Sequence, residues 1–161
     1  MRQLIFAAVA FSTLVSPLTS AVKSRPIATL PKPILHFTGA ENYDANGMHW
    51  VRYRYDVINK SKYPGAMFAA APDLPPCGLN TQASRTWVDF FDSTGKRLYG
   101  FCALRNPSEL GSIWFSSEAD AVPPSRVYIE ITDRLTATKY KSNLATTKGA
   151  PKDSREPKKD L

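Results

Sequence analysis

A strict alternation of side chains between residues 48 and 59 constrains the fold of this chain more than any other feature. Valine or tyrosine occupies every second position over 51–57, and arginine or aspartate occupies the positions between them. A period of two predicts a β-strand with one buried face. Asn46-Gly47 lies just before it and is a favoured two-residue hairpin turn, so residues 34–38 are expected to form the partner strand.

Further segments repeat this pattern and are separated by turn residues. The predicted strands are 87–91 and 98–104, as a hairpin around the turn 92–95, then 113–116, and finally 127–132 with 138–146 as a last hairpin. Asn106 is expected to cap one helical turn before the third of these. About seven short strands with turns between them predict an all-β fold, a single antiparallel β-sandwich over residues 34–146.

The first 21 residues have the three parts of an export signal. Arg2 supplies a positive charge, residues 4–15 are apolar, and Ala21 ends a stretch of small residues at which a signal peptidase cuts. The apolar run of about twelve residues is too short to cross a membrane, which takes ~20. We therefore expect a cleaved signal peptide at 1–21, a secreted or periplasmic protein, and no membrane span in the mature chain.

Two segments flank the expected domain. Residues 22–33 are rich in proline and predict an extended linker, whereas residues 147–161 are charged and poor in apolar side chains, which predicts a disordered tail. The formal charge of the chain is +7. The body 34–146 holds 12 basic and 11 acidic residues, so the excess lies mainly at the ends. Nucleic-acid binding normally needs basic residues grouped on one folded face, so no nucleic-acid partner is expected.

Cys77 and Cys102 are the two cysteines of the chain. An even number of cysteines behind an export signal predicts one disulfide, formed in an oxidising compartment; two buried thiols are the alternative. Their spacing differs from the Cys-x-x-Cys of thioredoxin-like redox sites. The disulfide would close a ring of about 25 residues and stabilise the domain by about 3.5 kcal/mol on the chain-entropy model.

The segment 61–85 between two predicted strands is longer than the usual connection in a sandwich. It is rich in prolines and apolar side chains. A loop held by a disulfide on a rigid scaffold suits recognition of a partner. The candidate binding residues in it are Tyr63, Phe68, Leu74, Asn80 and Arg85. The alternative is that Phe68 and Leu74 fold back and cap an open end of the sandwich.

Four stretches of the body carry a resemblance to known proteins. They are 74–80 (LPPCGLN), 84–89 (SRTWVD), 100–104 (GFCAL) and 127–134 (VYIEITDR). Together with the strand count, they resemble small exported bacterial proteins of uncharacterised function with an immunoglobulin-like or fibronectin type III-like β-sandwich. The resemblance implies a fold and no activity. It departs from true immunoglobulin domains at Cys102, which comes too early for the sixth strand, so the disulfide would tie a loop to a neighbouring strand.

The polar residues offer little for catalysis. His36 and His49 are expected to lie apart on the first hairpin, so neither a metal site nor a cofactor is predicted. Bonded cysteines would leave no thiolate, and the sequence has no Gly-x-Ser-x-Gly motif. Asp89 and Asp92 could act as a carboxylate pair, but the better explanation is structural: Asp92 starts a turn, and Asp133 is expected to pair at the surface with Arg134 or another basic neighbour. We predict no catalytic residue and no enzyme, with a hydrolase that uses Asp89 and Asp92 as an alternative.

Trp50 lies on the arginine side of its strand, so it is the tryptophan expected to be exposed. Beside Arg52 and Arg54 it forms either a contact stripe or a cross-strand packing ladder covered by the arginine stems. We count it as a further candidate binding residue. Asn59-Lys60-Ser61 fits a glycosylation sequon, which applies only in a eukaryotic host.

These observations predict a non-catalytic binding or structural module that acts in the periplasm or outside the cell. The leading hypothesis is recognition of an envelope or extracellular protein through the disulfide-held loop 61–85. The alternative partner is a polysaccharide or another cell-envelope polymer, bound by exposed aromatic side chains and the basic termini.

Overall fold

A computed structural model of the chain describes residues 29–76, 84–102 and 105–148. Over these ranges the chain forms eight β-strands and three short 3-10 helices. The strands are β1 (Leu35–Ala45), β2 (Met48–Val57), β3 (Thr86–Asp92), β4 (Arg97–Cys102), β5 (Ile113–Glu118), β6 (Arg126–Asp133), β7 (Thr138–Lys141) and β8 (Ala145–Thr146). The signal peptide at 1–21, Cys77, Asn80 and the tail beyond residue 148 lie outside the described residues, so the inferences made about them stay predictions.

The strands form two antiparallel sheets. One sheet has the order β1-β2-β5, and the other has the order β4-β3-β6-β7, with β8 pairing with β6 along the same edge as β7. The fold is all-β and compatible with a β-sandwich, which confirms the predicted architecture at that level.

The first hairpin turns where the sequence predicted it. Asn46 and Gly47 both have left-handed backbone angles, with φ of 54° and 74°, as the twist-matched two-residue hairpin turn requires. Pairing therefore begins at once with Ala45 opposite Met48 and continues back to Leu35. β1 is accordingly longer than the predicted strand 34–38, with one irregularity between Phe37 and Gly39.

The core lies between the two sheets. The apolar positions of the alternating segment 51–57 are all buried, as predicted. The ring of Phe90 from β3 lies 5.5 Å, centroid to centroid, from the ring of Tyr55 on β2 and also from that of Phe115 on β5. Phe90 thus joins one sheet to the inner face of the other, and edge-to-face or offset contacts of this kind add to the apolar burial.

The last predicted strand, 138–146, is divided into β7 and β8 at Ser142. The N–H of Ser142 donates to the carbonyl of Ile129 at 2.9 Å, but the N–H of Ile129 donates to the Ser142 hydroxyl, also at 2.9 Å. A side-chain oxygen therefore replaces a backbone acceptor, and the ladder is interrupted for three residues. The helical turn predicted after Asn106 is confirmed, since the Asn106 Oδ1 accepts from the N–H of Ser108 at 3.0 Å and caps the 3-10 helix Pro107–Ser112.

Both ends of the described chain pack on the body. The Tyr63 hydroxyl donates to the carbonyl of Pro31 at 2.6 Å, and the hydroxyl groups of Tyr55 and Thr147 lie 2.8 Å apart in a buried contact. The packed part of the chain thus begins before residue 34 and extends at least to Thr147.

Candidate functional site

The inner half of the long loop between β2 and β3 packs into the sandwich. Two 3-10 helices, Lys60–Lys62 and Gly65–Phe68, place Tyr63, Met67 and Phe68 in the core, where each is 2% exposed. The Thr86 hydroxyl at the start of β3 donates to the carbonyl of Met67. Tyr63 and Phe68, two of the candidate binding residues, therefore cover the end of the core and present almost no surface to a partner.

The loop is closed at a base formed by residues on both sides of its outer half. Ala70 and Ser84 form a β-bridge, and the N–H of Arg85 donates to the carbonyl of Ala69 at 3.4 Å. Beyond this base, Leu74 is half-buried and the residues around it at 72, 73, 75 and 76 are exposed. Of the three apolar candidate binding residues in the loop, Tyr63 and Phe68 are buried and Leu74 retains accessible surface.

Arg85 holds the base of the loop to β6. Its Nε and Nη2 donate to the two carboxylate oxygens of Asp133 at 2.8 and 2.6 Å, and its Nη1 donates to the carbonyl of Ala66 at 3.3 Å. Asp133 is 4% exposed. The guanidinium of Arg85 holds the pKa of the Asp133 carboxyl below its usual range, because the charged form accepts the hydrogen bonds. A bidentate ion pair at a buried position fixes the direction of the loop.

Arg134, the next residue, joins the loop to the β6–β7 turn. Its Nη1 donates to the carbonyl of Ser84 and its Nη2 to the carbonyl of Pro75, both at 2.8 Å. Its backbone N–H donates to the carbonyl of Arg85, also at 2.8 Å. Leu135 follows in the turn and is 57% exposed. We refer to Leu74, Pro75, Arg134 and Leu135 as the loop–turn surface.

A second group of side chains forms a row that begins on the outer face of the β1-β2-β5 sheet and continues onto β4, at the edge of the other sheet. The guanidinium carbon of Arg52 lies 4.5 Å from the ring centroid of Tyr43 and 4.6 Å from that of Trp114. The ring of Tyr99 on β4 stacks on Trp114 at 5.7 Å, and Phe101 follows at 6.0 Å from Tyr99. We refer to these five residues as the aromatic row. Most ring faces in it are covered by the neighbouring group, and Tyr99 is its most accessible member at 40% exposure.

Trp50 lies outside this row and is half-buried rather than fully exposed. It stands between Tyr43 on β1 and Glu118 on β5 in the sheet register. Its expected companions, Arg52 and Arg54, both donate to Glu41 Oε1, at 2.9 and 2.6 Å. The hydrogen bond from Arg54 is the largest of the effects that lower the pKa of Glu41.

The carboxylates considered for catalysis have other partners. Asp89 accepts from the Nε of Arg97 at 2.7 Å. Asp92 accepts from the hydroxyl and the N–H of Thr94 at 2.6 and 2.8 Å and from the N–H of Lys96 at 2.9 Å, and these hydrogen bonds lower its pKa. A general acid needs a raised pKa, so the contacts favour a turn and an ion pair over a hydrolytic site.

The two histidines lie apart on the first hairpin. His36 is opposite Asp56, and His49 is opposite Asp44, whose carboxylate lies 2.6 Å from the His49 Nδ1 in an exposed pair. This carboxylate partner was missed in the sequence, although a two-residue turn at 46–47 puts positions 44 and 49 across from each other. Within the described ranges, no group of three or more histidine, cysteine or acidic side chains could hold a metal ion.

None of the helices in the described parts of the chain is long and apolar enough to cross a membrane. The chain matches no protein-family model, no curated protein and no solved structure.

Sequence reasoning identified the loop but missed the residues that hold it. Arg85 was a candidate contact residue, and its guanidinium binds Asp133 instead. Arg134 was considered only as a surface partner of Asp133, whereas its guanidinium donates to the carbonyls of Ser84 and Pro75. Tyr43, Tyr99 and Trp114 were also missed as a group, because they lie on three different strands of two sheets.

Proposed function

We propose that this chain is an exported, non-catalytic binding module that recognises an envelope or extracellular protein through the loop–turn surface. The observation that carries the proposal is the pair of hydrogen bonds from Arg134 to the carbonyls of Pro75 and Ser84. They tie the long loop to the β6–β7 turn, so that two apolar side chains, Leu74 and Leu135, belong to one preorganised surface. Preorganisation lowers the entropy that a loop loses on binding.

The strand order supports an immunoglobulin-like or fibronectin type III-like scaffold for this module. Strands β1, β2 and β5 share one sheet, and β3, β6 and β7 share the other. In constant-type immunoglobulin domains the fourth strand pairs with the fifth. Here β4 pairs with β3 instead, which supports a fibronectin type III-like sandwich over a constant-type immunoglobulin domain. The β2–β3 and β6–β7 loops then correspond to two of the three binding loops of an immunoglobulin variable domain.

A capture experiment followed by binding measurements tests the proposal. The tagged chain is incubated with envelope extract of its host, cross-linked, and the bound protein is identified by mass spectrometry and purified. Leu135→Asp puts a charge on the loop–turn surface at a 57% exposed site, and Val122→Asp puts the same charge on a 95% exposed site elsewhere. We expect Leu135→Asp to weaken binding at least tenfold and Val122→Asp to leave it unchanged.

A third variant separates preorganisation from direct contact. Arg134→Gln removes the tie to Pro75 and should weaken binding through slower association or faster dissociation, with little change in melting temperature. If the partner binds wild type, Leu135→Asp and Arg134→Gln equally well, its site lies elsewhere on the chain and the proposal fails.

A second candidate function is binding of a polysaccharide or another envelope polymer. It is supported by the accessible end of the aromatic row, where Tyr99, Phe101 and Trp114 line a cleft of about 200 Å³ between β4 and β5. Titration of the chain with a panel of polysaccharides, followed by tryptophan fluorescence, tests it. Tyr99→Ser should abolish the change, whereas Met48→Ser, at a similarly exposed apolar site, should retain it. An unaltered response of Tyr99→Ser would exclude this cleft.

A further inference from the structure

A groove runs beside β7, between this edge strand and the segment 29–34. It encloses about 800 Å³ and lies away from the aromatic row. Its lining includes Leu30, Lys32, Lys139, Tyr140, Lys141 and Asn143. Among the lining residues, Asn143 is fixed by hydrogen bonds between its side chain and the backbone of Leu35.

Several backbone groups of the segment opposite β7 are bonded to residues outside the groove. The Pro31 carbonyl accepts from Tyr63, and the Lys32 carbonyl accepts from the Asn59 side chain. The N–H of Ile34 donates to the Asn59 Oδ1, and its carbonyl accepts from Ile58. Pro31 and Pro33 have no N–H to offer. In the described chain this segment forms no strand pairing with β7, and these contacts and prolines disfavour one.

The edge of β7 that faces the groove has backbone groups left to pair. Among the described strands β7 pairs with β6 alone. The N–H of Ser142 bonds to Ile129, and Tyr140 lies opposite Ile131, so these residues direct their backbone toward β6. In an antiparallel ladder the alternate residues direct theirs the other way. Lys139 and Lys141 thus turn an N–H and a carbonyl each toward the groove.

The charges around the groove favour an acidic occupant. Three lysines line it, at positions 32, 139 and 141, and no acidic residue does so among the described residues. Glu130 faces the rim from β6 and pairs with Lys139 at 3.3 Å, and the ammonium of Lys141 lies 3.8 Å from the ring centroid of Tyr128. One carboxylate against three ammonium groups leaves a net positive rim.

We infer that this groove binds an extended acidic peptide segment of a partner protein as an added strand on β7. Side chains of paired strands alternate in register between the two faces of a sheet. Acidic residues at every second position would therefore lie beside Lys139 and Lys141, and apolar residues between them would lie over Leu30 and Tyr140. About six residues, or roughly 20 Å, span the groove at ~3.3 Å per residue. The inference does not depend on the proposed function.

Synthetic peptides with alternating valine and glutamate, labelled with fluorescein, test the inference by fluorescence anisotropy on the full chain. Two further peptides carry N-methyl groups, one on every valine and one on every glutamate. An added strand donates to β7 through the N–H groups of alternate residues, so it uses those of the valines or those of the glutamates but not both. We expect one methylated peptide to bind at least tenfold more weakly and the other to bind nearly as well as the parent. A peptide of alternating valine and lysine should bind at least tenfold more weakly.

Variants of β7 give the matching test on the protein. Lys139→Pro removes an N–H that faces the groove, at an edge position where proline is tolerated, and should weaken peptide binding at least tenfold. Lys139→Gln removes only the charge and should weaken it a few-fold. Lys96→Gln, on an exposed turn lysine outside the groove, should have no effect. Circular dichroism checks that each variant is folded. If Lys139→Pro is unfolded, the comparison of the two methylated peptides still tests whether the peptide binds as an added strand.

Four results would overturn the inference. The first is no binding of the parent peptide at millimolar concentration. The second is equal binding of both methylated peptides, which would mean charge attraction alone. The third is tight binding of polygalacturonate with no binding of the peptide, which would assign the groove to an anionic polysaccharide. The fourth is peptide binding only after deletion of residues 149–161, which would make the tail of the chain itself the occupant.

Discussion

The side-chain amide of Asn143 hydrogen-bonds with both backbone groups of Leu35, accepting from its N–H at 2.7 Å and donating to its carbonyl at 3.1 Å. The two residues are 108 positions apart in the chain. One stands at the start of β1, and the other lies between β7 and β8 on the opposite sheet. Asn143 therefore takes the place of a neighbouring strand where β1 begins, and it joins the two sheets at their edge.

Replacement of Asn143 should destabilise the domain. Asn143→Ala leaves the backbone groups of buried Leu35 without these partners, and we expect the free energy of unfolding to fall by about 1–3 kcal/mol. Urea unfolding followed by fluorescence measures it. Asn59→Ala is the matched control, because Asn59 makes the same kind of pair with the 32–34 segment at an exposed site, and it should cost less than about 1 kcal/mol. Equal costs would contradict this account.

The Arg85–Asp133 pair should contribute stability that depends on pH. Asp133→Asn leaves a guanidinium facing a weaker acceptor, and we expect a loss of about 2–4 kcal/mol at pH 7. The folded state lowers the pKa of Asp133, so the contribution is complete above the usual carboxyl pKa of about 4 and is lost as the pH falls below it. Urea unfolding of wild type and variant from pH 7 to pH 2.5 should show curves that converge in acid.

The control for this pair is Asp56→Asn, which breaks a partly exposed i,i+4 contact with Lys60; the Asp56 side chain is 28% exposed, against 5% for that of Asp133. Such surface pairs contribute roughly 0–1 kcal/mol. If Asp133→Asn costs no more than Asp56→Asn, the buried pair does not hold the loop as described.

A side chain at Gly47 should destabilise the turn at Asn46-Gly47. Gly47 has a φ of 74° and open space where a Cβ would lie, whereas Gly65 has the same open space without a positive φ. Gly47→Ala should therefore cost about 1–2 kcal/mol, while Gly65→Ala should be neutral or stabilise by less than about 1 kcal/mol. Thermal unfolding of the two variants isolates the backbone effect, and equal melting temperatures would exclude it.

Alkaline pH should unfold the domain through its buried phenols. Burial raises the pKa of Tyr55 to about 12 and raises the pKa of Tyr63 as well. The folded state thus favours the neutral phenols. Their contribution to the free energy of unfolding is complete below about pH 10, and it is lost as the pH rises through the pKa values of the two phenols in the folded state. The double variant Tyr55→Phe/Tyr63→Phe should show a flatter decline of the unfolding free energy between pH 9 and pH 12, measured in urea.

Tyr99→Phe is the control for the phenols, because Tyr99 is exposed and its loss should leave the slope unchanged. A double variant as steep as wild type would mean that other groups drive alkaline unfolding.

The predicted Cys77–Cys102 disulfide should be detectable by mass and by stability. Cys102 ends β4 opposite Trp87. Reduction should raise the intact mass by two hydrogens and lower the free energy of unfolding by about 3.5 kcal/mol. Cys77→Ser/Cys102→Ser should match the reduced wild type. Reaction of two thiols with an alkylating reagent in the unreduced, denatured chain would contradict the prediction.

Local sequence patterns were sufficient to predict most of the strands. A period of two over 51–57 predicted which side chains of β2 are buried, and Asn46-Gly47 predicted the turn, since both depend on neighbours in the chain. The same reasoning predicted 138–146 as one continuous strand. It missed the break between β7 and β8, because Ser142 interrupts the ladder through its contact with Ile129 on another strand. For the loop 61–85 it proposed a recognition element, with a core cap by Phe68 and Leu74 as the alternative. Phe68 packs in the core together with Tyr63, whereas Leu74 is half-buried.

By itself the sequence determined the class of fold, the face of each main strand and the positions of the turns, because alternation and turn residues act through the local backbone. The tertiary structure alone decided which residues meet across the sheets. Asn143 with Leu35, Arg85 with Asp133, and Arg134 with Pro75 are pairs 48 or more positions apart. An alternating pattern specifies that a side chain points inward or outward, but its partner depends on sheet order and register, which long-range packing sets.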